Sequence, residues 1–514
     1  MEGDPPVHAA LDPRDSLLNS PDDPMTLSPR AATRTLFALL WIGSAGLILA
    51  GCDSGGTDPP DPTAFTVTVE NVGSAAPILK SGAFNTPTGA GQPGPIAGGD
   101  SYQFTFTAGP NEIPDSGMRL SFATMFIQSN DLYYAFEPEG LALFENGTPI
   151  GQNGPADVTD QVNLYDAGTE VDQKPGAGAD QAPRQGEVGG GMAENGSVVE
   201  VTNMDPANDS LENDGFSYPP TSDVLSVSVS SEEDEASGGY TFTVTIQNEG
   251  TTVNGAPVPL SPGAYAVHWA QTPAGDAVTY PGHTPGSPAS DGIERIAEDG
   301  ASAGADGVPG NHVQQLSTAT GVTVPLSPGG YALHTDQATV FETNEPAPTG
   351  IERVAEDGTP MELVSMLSGA SGISSAGAFN TPSGADNPGP IGPGGSYSFM
   401  VEAVPGDRLS LATMHVQSND LFYAFAPSGL ALFNESNRPV SGDVTDQVRL
   451  YDAGTEGDQE PGVGLDQAPR QTGSDTGPPG EGRVERVDGS NDGYDYPAPN
   501  NTLRVTITPP SQSQ

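Results

Sequence analysis

The chain contains the same series of motifs twice, and this duplication limits its possible folds more than any other feature of the sequence. LYDAGTE occurs at 164–170 and 450–456, and each copy is preceded by a QSND segment, at 128–131 and 417–420. The order of the motifs is kept, while the separation between copies shrinks slightly along the chain. The pattern indicates one domain present in two copies that differ by small loop deletions. It does not indicate a solenoid, which stacks many short repeats.

Short stretches of alternating apolar and polar residues predict β-strands. AFTVTVENV at 64–72, DVLSVSVSS at 223–231, YTFTVTIQNEG at 240–250 and TLRVTITP at 502–509 alternate in this way and are rich in β-branched residues. No long segment has apolar residues at helical spacing. The 67 glycines and 51 prolines suit short strands joined by turns. We therefore predict an all-β fold with two antiparallel β-sandwich domains in tandem.

Both sandwiches can be given approximate bounds. The first copy is shortened, because VTVENV is followed almost directly by SGAFNTP. The second copy contains an apparent internal tandem duplication: VPLSPGAYAVHW at 258–269 returns as VPLSPGGYALHT at 324–335, and GIERIAEDG at 292–300 returns as GIERVAEDG at 350–358. The predicted division is a leader at 1–52, a flexible tether at 53–63, a shortened sandwich at 64–231, a linker at 232–239, a sandwich with the duplication at 240–509, and a tail at 510–514.

The charge balance excludes some partners. The chain has 16 basic and 67 acidic residues, for a formal net charge of −51. Such a surface repels phosphate backbones, so we expect no nucleic-acid binding. An acidic surface of this kind is typical of halophilic adaptation, because salt screens the self-repulsion. The carboxylates also supply hard oxygen ligands for divalent cations.

The N-terminal segment predicts export. An apolar run, LFALLWIGSAGLILAG at 36–51, follows Arg30 and Arg34 and ends in LAGC, which is similar to a bacterial lipobox. These features describe a signal peptide whose Cys52 is lipidated and anchors the protein to a membrane of the cell envelope, in the periplasm or at the cell surface. The alternative is a plain transmembrane anchor, since the run approaches a spanning length. Met25 is a possible start, because the residues before it are polar. The predicted fold therefore begins after a disordered, lipidated segment.

Repeated acids are the candidates for chemistry. Gly168 in DAGTE permits a tight turn that brings its two flanking acids together, and the QSND aspartate is a third candidate. The acids are Asp131, Asp166 and Glu170 in the first copy and Asp420, Asp452 and Glu456 in the second. Spacing alone leaves open a metal site, a catalytic pair and solvated acidic turns. HExxH and Walker motifs are absent from the sequence.

The series FTVTIQN, SPGAYAVH, GIERIAEDG, SGAFNTP, RLSLATM, QSND, VTDQV, LYDAGTE, QAPRQ resembles the spondin domain, over roughly 239–509 in full and 64–231 in shortened form. The resemblance implies a β-sandwich related to calcium-dependent membrane-binding domains, with a bound Ca²⁺. It also implies that the metal ligands are Asp131, Asp166 and Glu170, and Asp420, Asp452 and Glu456. Animal members carry aspartate where this chain has Glu170 and Glu456, so the geometry of the last ligand differs.

We predict a calcium-binding, lipid-anchored extracellular protein that binds or adheres to a polymer or protein ligand and is not an enzyme. Two alternatives remain at this point. The first is a purely structural envelope protein in which calcium only fixes loops. The second is a glycan hydrolase that uses paired carboxylates.

Overall fold

The computed structural model describes residues 61–110, 117–187, 189–202, 216–272, 276–301, 311–488 and 493–510. The predicted leader at 1–52, with Cys52, and most of the tether at 53–63 lie outside the described residues.

The strands are, in chain order, β1 (Thr63–Asn71), β2 (Ile78–Phe84), β3 (Ser101–Ala108), β4 (Met118–Phe126), β5 (Leu132–Phe136), β6 (Leu141–Ala142), β7 (Phe144–Glu145), β8 (Thr148–Pro149), β9 (Ala156–Asp157), β10 (Val162–Asp166), β11 (Val199–Glu200), β12 (Leu225–Asp234), β13 (Gly239–Asn248), β14 (Thr252–Val253), β15 (Ala256–Pro257), β16 (Leu260–Trp269), β17 (Leu326–His334), β18 (Ile373–Phe379), β19 (Ser396–Ala403), β20 (Arg408–His415), β21 (Leu421–Phe425), β22 (Leu430–Ala431), β23 (Gly442–Asp443), β24 (Val448–Asp452), β25 (Glu485–Arg486) and β26 (Leu503–Thr508). The helices are α1 (Thr221–Val224), α2 (Asp291–Asp299), α3 (His312–Ala319), α4 (Thr349–Asp357), α5 (Met361–Leu367) and α6 (Pro499–Thr502). Two short 3₁₀ turns lie at Thr159–Gln161 and Thr445–Gln447.

The first sandwich consists of a seven-stranded sheet, in the order β11-β10-β5-β4-β16-β2 with β6 beside β4, and a four-stranded sheet, in the order β3-β13-β12-β9. One apolar core contains residues of both sheets, among them Phe122 and Phe242. The alternation that predicted β13 is visible in its packing: Phe242, Val244 and Ile246 are buried while the residues between them are partly exposed.

The second sandwich repeats this plan. Its seven-stranded sheet has the order β18-β17-β20-β21-β24-β25 with β22 beside β20, and its four-stranded sheet has the order β19-β1-β26-β23. Phe65, Val67 and Val69 of β1 lie in its core with Leu411 of β20. The strand pairs of both sandwiches are antiparallel. The predicted all-β class with two antiparallel sandwiches is thus confirmed.

The path of the chain differs from the predicted tandem order. β1 pairs with β19 and β26 and so belongs to the second sandwich. β13 pairs with β3 and β12, and β16 pairs with β2 and β4, so both belong to the first. The first sandwich is therefore inserted into the second, between β1 and β17. The first sandwich is circularly permuted relative to the second, because β13, the counterpart of β1 by sequence, follows β12 instead of coming first.

Two asparagines mark this insertion. In the first sandwich, Asn248 Nδ2 donates to the carbonyl of Val258, ten residues further along the chain, at 2.8 Å. In the second, the counterpart Asn71 donates to the carbonyl of Val324 at 2.9 Å, across 253 residues. In the first sandwich this hydrogen bond joins residues that are close in sequence. In the second, the equivalent hydrogen bond joins residues that the whole first sandwich separates in sequence. The outgoing and returning segments run side by side, since Gly321 N donates to the carbonyl of Ile78 at 2.9 Å.

Several predicted bounds are wrong for this reason. The predicted linker at 232–239 is the turn of the β12–β13 hairpin together with the ends of those strands. The apparent tandem duplication within 240–509 is one copy per sandwich, with β16 and α2 in the first and β17 and α4 in the second. The first sandwich, predicted at 64–231, is not shortened, because β13 and β16 complete its two sheets.

Short helices cover the outer face of each seven-stranded sheet. Ile293 and Ile296 of α2 pack with Ala123 and Tyr133 of the sheet. The side chain of Ser290 caps α2 by accepting a hydrogen bond from Ile293 N, and Gly300 ends it with φ at 65°. This cover explains why β4 and β5 are buried on both faces. It also brings the C-terminal end of α2, and of α4 in the second sandwich, close to the repeated acids.

Candidate metal centres

The predicted acids of the first sandwich lie together at one end of the seven-stranded sheet. Asp166 ends β10, and its Cα partner on β5 is Leu132, so Asp131 is its near neighbour. Glu170 follows after the DAGT turn. All three acids are buried, with exposed fractions of 0% for Asp131, 1% for Asp166 and 3% for Glu170.

The second sandwich builds the same arrangement. Asp452 ends β24 opposite Leu421 of β21, which places Asp420 beside it. The exposed fractions are 0% for Asp420, 7% for Asp452 and 3% for Glu456. We call the two groups the first centre (Asp131, Asp166, Glu170) and the second centre (Asp420, Asp452, Glu456).

One oxygen of each aspartate holds the DAGTE turn in place. Asp131 Oδ2 accepts hydrogen bonds from Thr169 N at 2.8 Å and Glu170 N at 2.9 Å. Asp166 Oδ1 accepts one from Gly168 N at 2.6 Å. Gly168 has φ at 66°, in the region that favours glycine, which is why the turn needs glycine there.

The second centre repeats these bonds. Asp420 Oδ2 accepts from Thr455 N at 2.7 Å and Glu456 N at 3.0 Å, and Asp452 Oδ1 accepts from Gly454 N at 2.6 Å. The two turns therefore have the same construction in detail, which the repeated sequence alone did not establish.

Three oxygens of these acids are available for a ligand. Asp131 Oδ1, Asp420 Oδ1 and Glu456 Oε2 are buried and have no hydrogen-bond partner among the described residues. A buried carboxylate oxygen without a donor costs free energy that a bound cation would recover. The other oxygen of Glu456, Oε1, accepts from Gly477 N at 2.8 Å. Both oxygens of Glu170 accept hydrogen bonds, Oε1 from Gly191 N at 2.7 Å and Oε2 from Asn130 Nδ2 at 3.3 Å. The residues present thus fit a divalent cation.

The carboxylates within each centre approach one another in pairs. The carboxyl groups of the two aspartates in each centre interact directly, Asp131 with Asp166 and Asp420 with Asp452. Neither centre, however, is among the groups of three acids whose ligand oxygens all lie within 4.8 Å of one another; in the part of the chain that the structure describes, that condition is met by Glu352, Glu356 and Asp475. A cation in either centre would therefore be held first by the aspartate pair, and the glutamate would have to swing inward.

Burial dominates the electrostatics of the second centre. It raises the pKa of Asp420 to about 8, with the charge of Asp452 adding to the effect. Burial likewise raises the pKa of Asp452 to about 7 and that of Glu456 to about 7. In the first centre, burial raises the pKa of Asp131 and of Glu170. Carboxyls of this kind hold protons near neutral pH unless a cation replaces the protons.

The structure adds residues that the sequence analysis did not single out. Glu298 of α2 and Glu356 of α4 are buried beside the centres, with exposed fractions of 5% and 1%. Burial raises the pKa of Glu298 to about 7 and of Glu356 to about 8. The repeated GIERxAEDG motif contains both residues, but acids one turn apart on a helix are more typical of a solvent-exposed face.

Neither protein-family models nor curated proteins gave a match to the chain. In the described ranges, no helix is both long enough and apolar enough to cross a bilayer.

Proposed function

We propose that this protein is an exported, lipid-anchored binding or adhesion protein in which two spondin-like sandwiches each bind one calcium ion. The observation that carries the proposal is the buried, unpartnered oxygen of Asp131 and of Asp420, each beside a second aspartate. The duplicated motif order supports the family assignment, and Cys52 in its lipobox-like setting supports the anchor.

Calcium suits the centres better than other metals. The donors are carboxylate oxygens, which are hard ligands, and histidine and cysteine take no part. Ca²⁺ accepts about 6–8 oxygens in flexible geometry, so carbonyls and waters can complete the shell around the aspartate pair. The strict octahedral shell of Mg²⁺ fits less well with a glutamate that must move to reach the ion.

Burial argues against catalysis by these acids. A glycosidase needs two carboxyl groups that face a sugar across an open cleft. The six predicted acids are at most 7% exposed. Each of the four aspartates also uses one carboxylate oxygen to accept a hydrogen bond from the backbone. A role in holding loops through an ion is therefore the better account, and the hydrolase alternative receives no support from the geometry.

Calorimetric titration of CaCl₂ into the full chain tests the metal assignment. Asp131→Asn with Asp166→Asn is expected to abolish binding at the first centre, and Asp420→Asn with Asp452→Asn at the second. The variants should still fold without calcium, because each change removes repulsion between buried carboxylates. The matched control, Asp160→Asn with Asp446→Asn, removes two exposed acids from the 3₁₀ turns and should leave binding unchanged. Absence of binding by the wild type, or equal binding by all variants, contradicts the assignment.

A retention experiment separates the binding role from the purely structural one. Chitin, cellulose and alginate beads are incubated with the protein in calcium and in chelator. The binding role predicts retention on at least one polymer that is lost in chelator or in the double aspartate variants. Retention on none of them favours the alternative in which calcium only fixes loops.

A further inference from the structure

A second group of acids lies next to the second centre. Glu352 and Glu356 are four residues apart on α4 and so lie on one face of the helix. Asp475 comes from the loop that follows the second centre. One carboxylate oxygen of each residue lies within 4.8 Å of the others. We call Glu352, Glu356 and Asp475 the helix–loop cluster.

An independent observation indicates that this cluster is built to bind a ligand. Glu356 is 1% exposed, and its Oε2 is buried without a hydrogen-bond partner among the described residues. A buried carboxylate with an unsatisfied oxygen is costly, and more so beside two further acids. A cation bound by all three carboxylates would remove both costs.

We propose that the helix–loop cluster binds a second calcium ion in the second sandwich, beside the one in the second centre. The oxygen separations, all within 4.8 Å, are compatible with this ion, because opposed ligands at Ca–O distances of about 2.3–2.6 Å are up to about 5 Å apart. Ca²⁺ also accepts carboxylates and waters in a flexible shell. Glu352 is half-buried and Asp475 is exposed, so waters can complete the shell from the open side.

Among the described residues, Arg353 is the basic residue that forms ion pairs at this cluster. It forms ion pairs with Asp475 Oδ2 at 3.1 Å and with Asp357 Oδ2 at 2.9 Å. Asp475 keeps a second oxygen with which to bind a metal. The cluster has three carboxylates, and the one guanidinium beside it also pairs with Asp357. The cluster therefore keeps a net negative charge that a bound cation would balance.

The first sandwich has glycine in place of one of the three acids. Its helix keeps both glutamates, as Glu294 and Glu298, but Gly189 occupies the position of Asp475 in the loop after QAPRQ. The two positions are equivalent in conformation, with φ of 60° at Gly189 and 55° at Asp475. A Cβ built on Gly189 would lie 3.3 Å from Glu298 Oε2, so this position faces the helix glutamate as Asp475 does. The proposed site rests on other residues than the two centres, so it can fail on its own.

Equilibrium dialysis of the full chain against CaCl₂, with bound calcium counted by atomic emission, tests the proposal. The wild type is expected to bind three ions: one in each centre and one in the helix–loop cluster. Asp475→Gly, which installs the residue of the first sandwich and suits the positive φ, should bind two. Glu352→Gln should also bind two, while the matched change in the first sandwich, Glu294→Gln, should leave three.

The counts distinguish the possible failures. Two ions for both wild type and Asp475→Gly would overturn the helix–loop site and leave the two centres intact. Three ions for both would place the third ion elsewhere and also overturn the site. No bound calcium in the wild type would overturn the site together with the proposed function.

Discussion

Asp131 and Asp420 each divide their carboxylate between two tasks. One oxygen of Asp131 and of Asp420 orders the DAGTE turn through two backbone amides, while the other is left for a cation. The turn is therefore formed before the ion binds. Since the two aspartates are pre-positioned and the glutamate is the ligand that must move, little ordering entropy opposes binding, which favours affinity.

The raised pKa values predict how stability depends on pH. Burial raises the pKa of Asp420 to about 8 and of Asp452 to about 7, whereas an unfolded aspartate has a pKa of about 4. Between the unfolded and the folded pKa values, the folded chain without calcium binds more protons than the unfolded chain. Its free energy of unfolding therefore falls as pH rises. Calcium replaces these protons, so its stabilising effect should grow over the same range.

Thermal unfolding from about pH 5 to about pH 8, in chelator and in calcium, measures this effect. The Tm in chelator should fall relative to the Tm in calcium as pH rises. Asp420→Asn with Asp452→Asn should reduce the divergence. A difference between the two Tm values that is constant across the range is inconsistent with cation binding by these carboxyls.

The turn glycine of the second centre has no room for a side chain. Gly454 has φ at 67°, and a Cβ there would lie 2.2 Å from the carbonyl oxygen of Arg483. Gly454→Ala should lower the free energy of unfolding by more than the roughly 1–2 kcal/mol that a left-handed alanine costs alone. Gly384→Ala, at φ of 85° in open space, is the control for that backbone cost. Urea denaturation compares them, and equal losses would show that the turn tolerates the side chain.

At the scale of elements, the sequence predicted the strands well and their partners poorly. The alternation in 64–72 and 240–250 correctly predicted β1 and β13. The two strands have nearly the same pattern, however, so local sequence does not tell which sheet each one joins. That choice depends on contacts across hundreds of residues.

The acids of the two centres were predictable because their motifs recur, whereas Glu356 and Asp475 come together only through the packing of α4.

The long-range pairing of β1 predicts the effect of a truncation. β1 lies between β19 and β26 in its sheet. A chain that begins at residue 73 should therefore lose hydrogen-exchange protection in β19 and β26, while β3, β12 and β13 stay protected. A chain that begins at residue 61 keeps every described strand and serves as the control. Full protection of β26 without β1 would contradict the inserted arrangement.

At the scale of the whole molecule, the net charge of −51 opposes the compact state. Raising NaCl from about 0.1 M to about 1 M shortens the Debye length from about 10 Å to about 3 Å, so the Tm in chelator should rise at neutral pH. The effect should largely vanish near the isoelectric point of about 4.1, which is the control. A Tm that is insensitive to salt at neutral pH would show that self-repulsion is not an important term.

Calcium binding by the aspartate pairs can be observed by X-ray diffraction from crystals grown in calcium, recorded at a long wavelength where calcium scatters anomalously. We expect anomalous peaks about 2.3–2.6 Å from Asp131 Oδ1 and from Asp420 Oδ1, with Asp166 and Asp452 as further ligands. Well-ordered carboxylates with no anomalous peak at either centre would contradict the account.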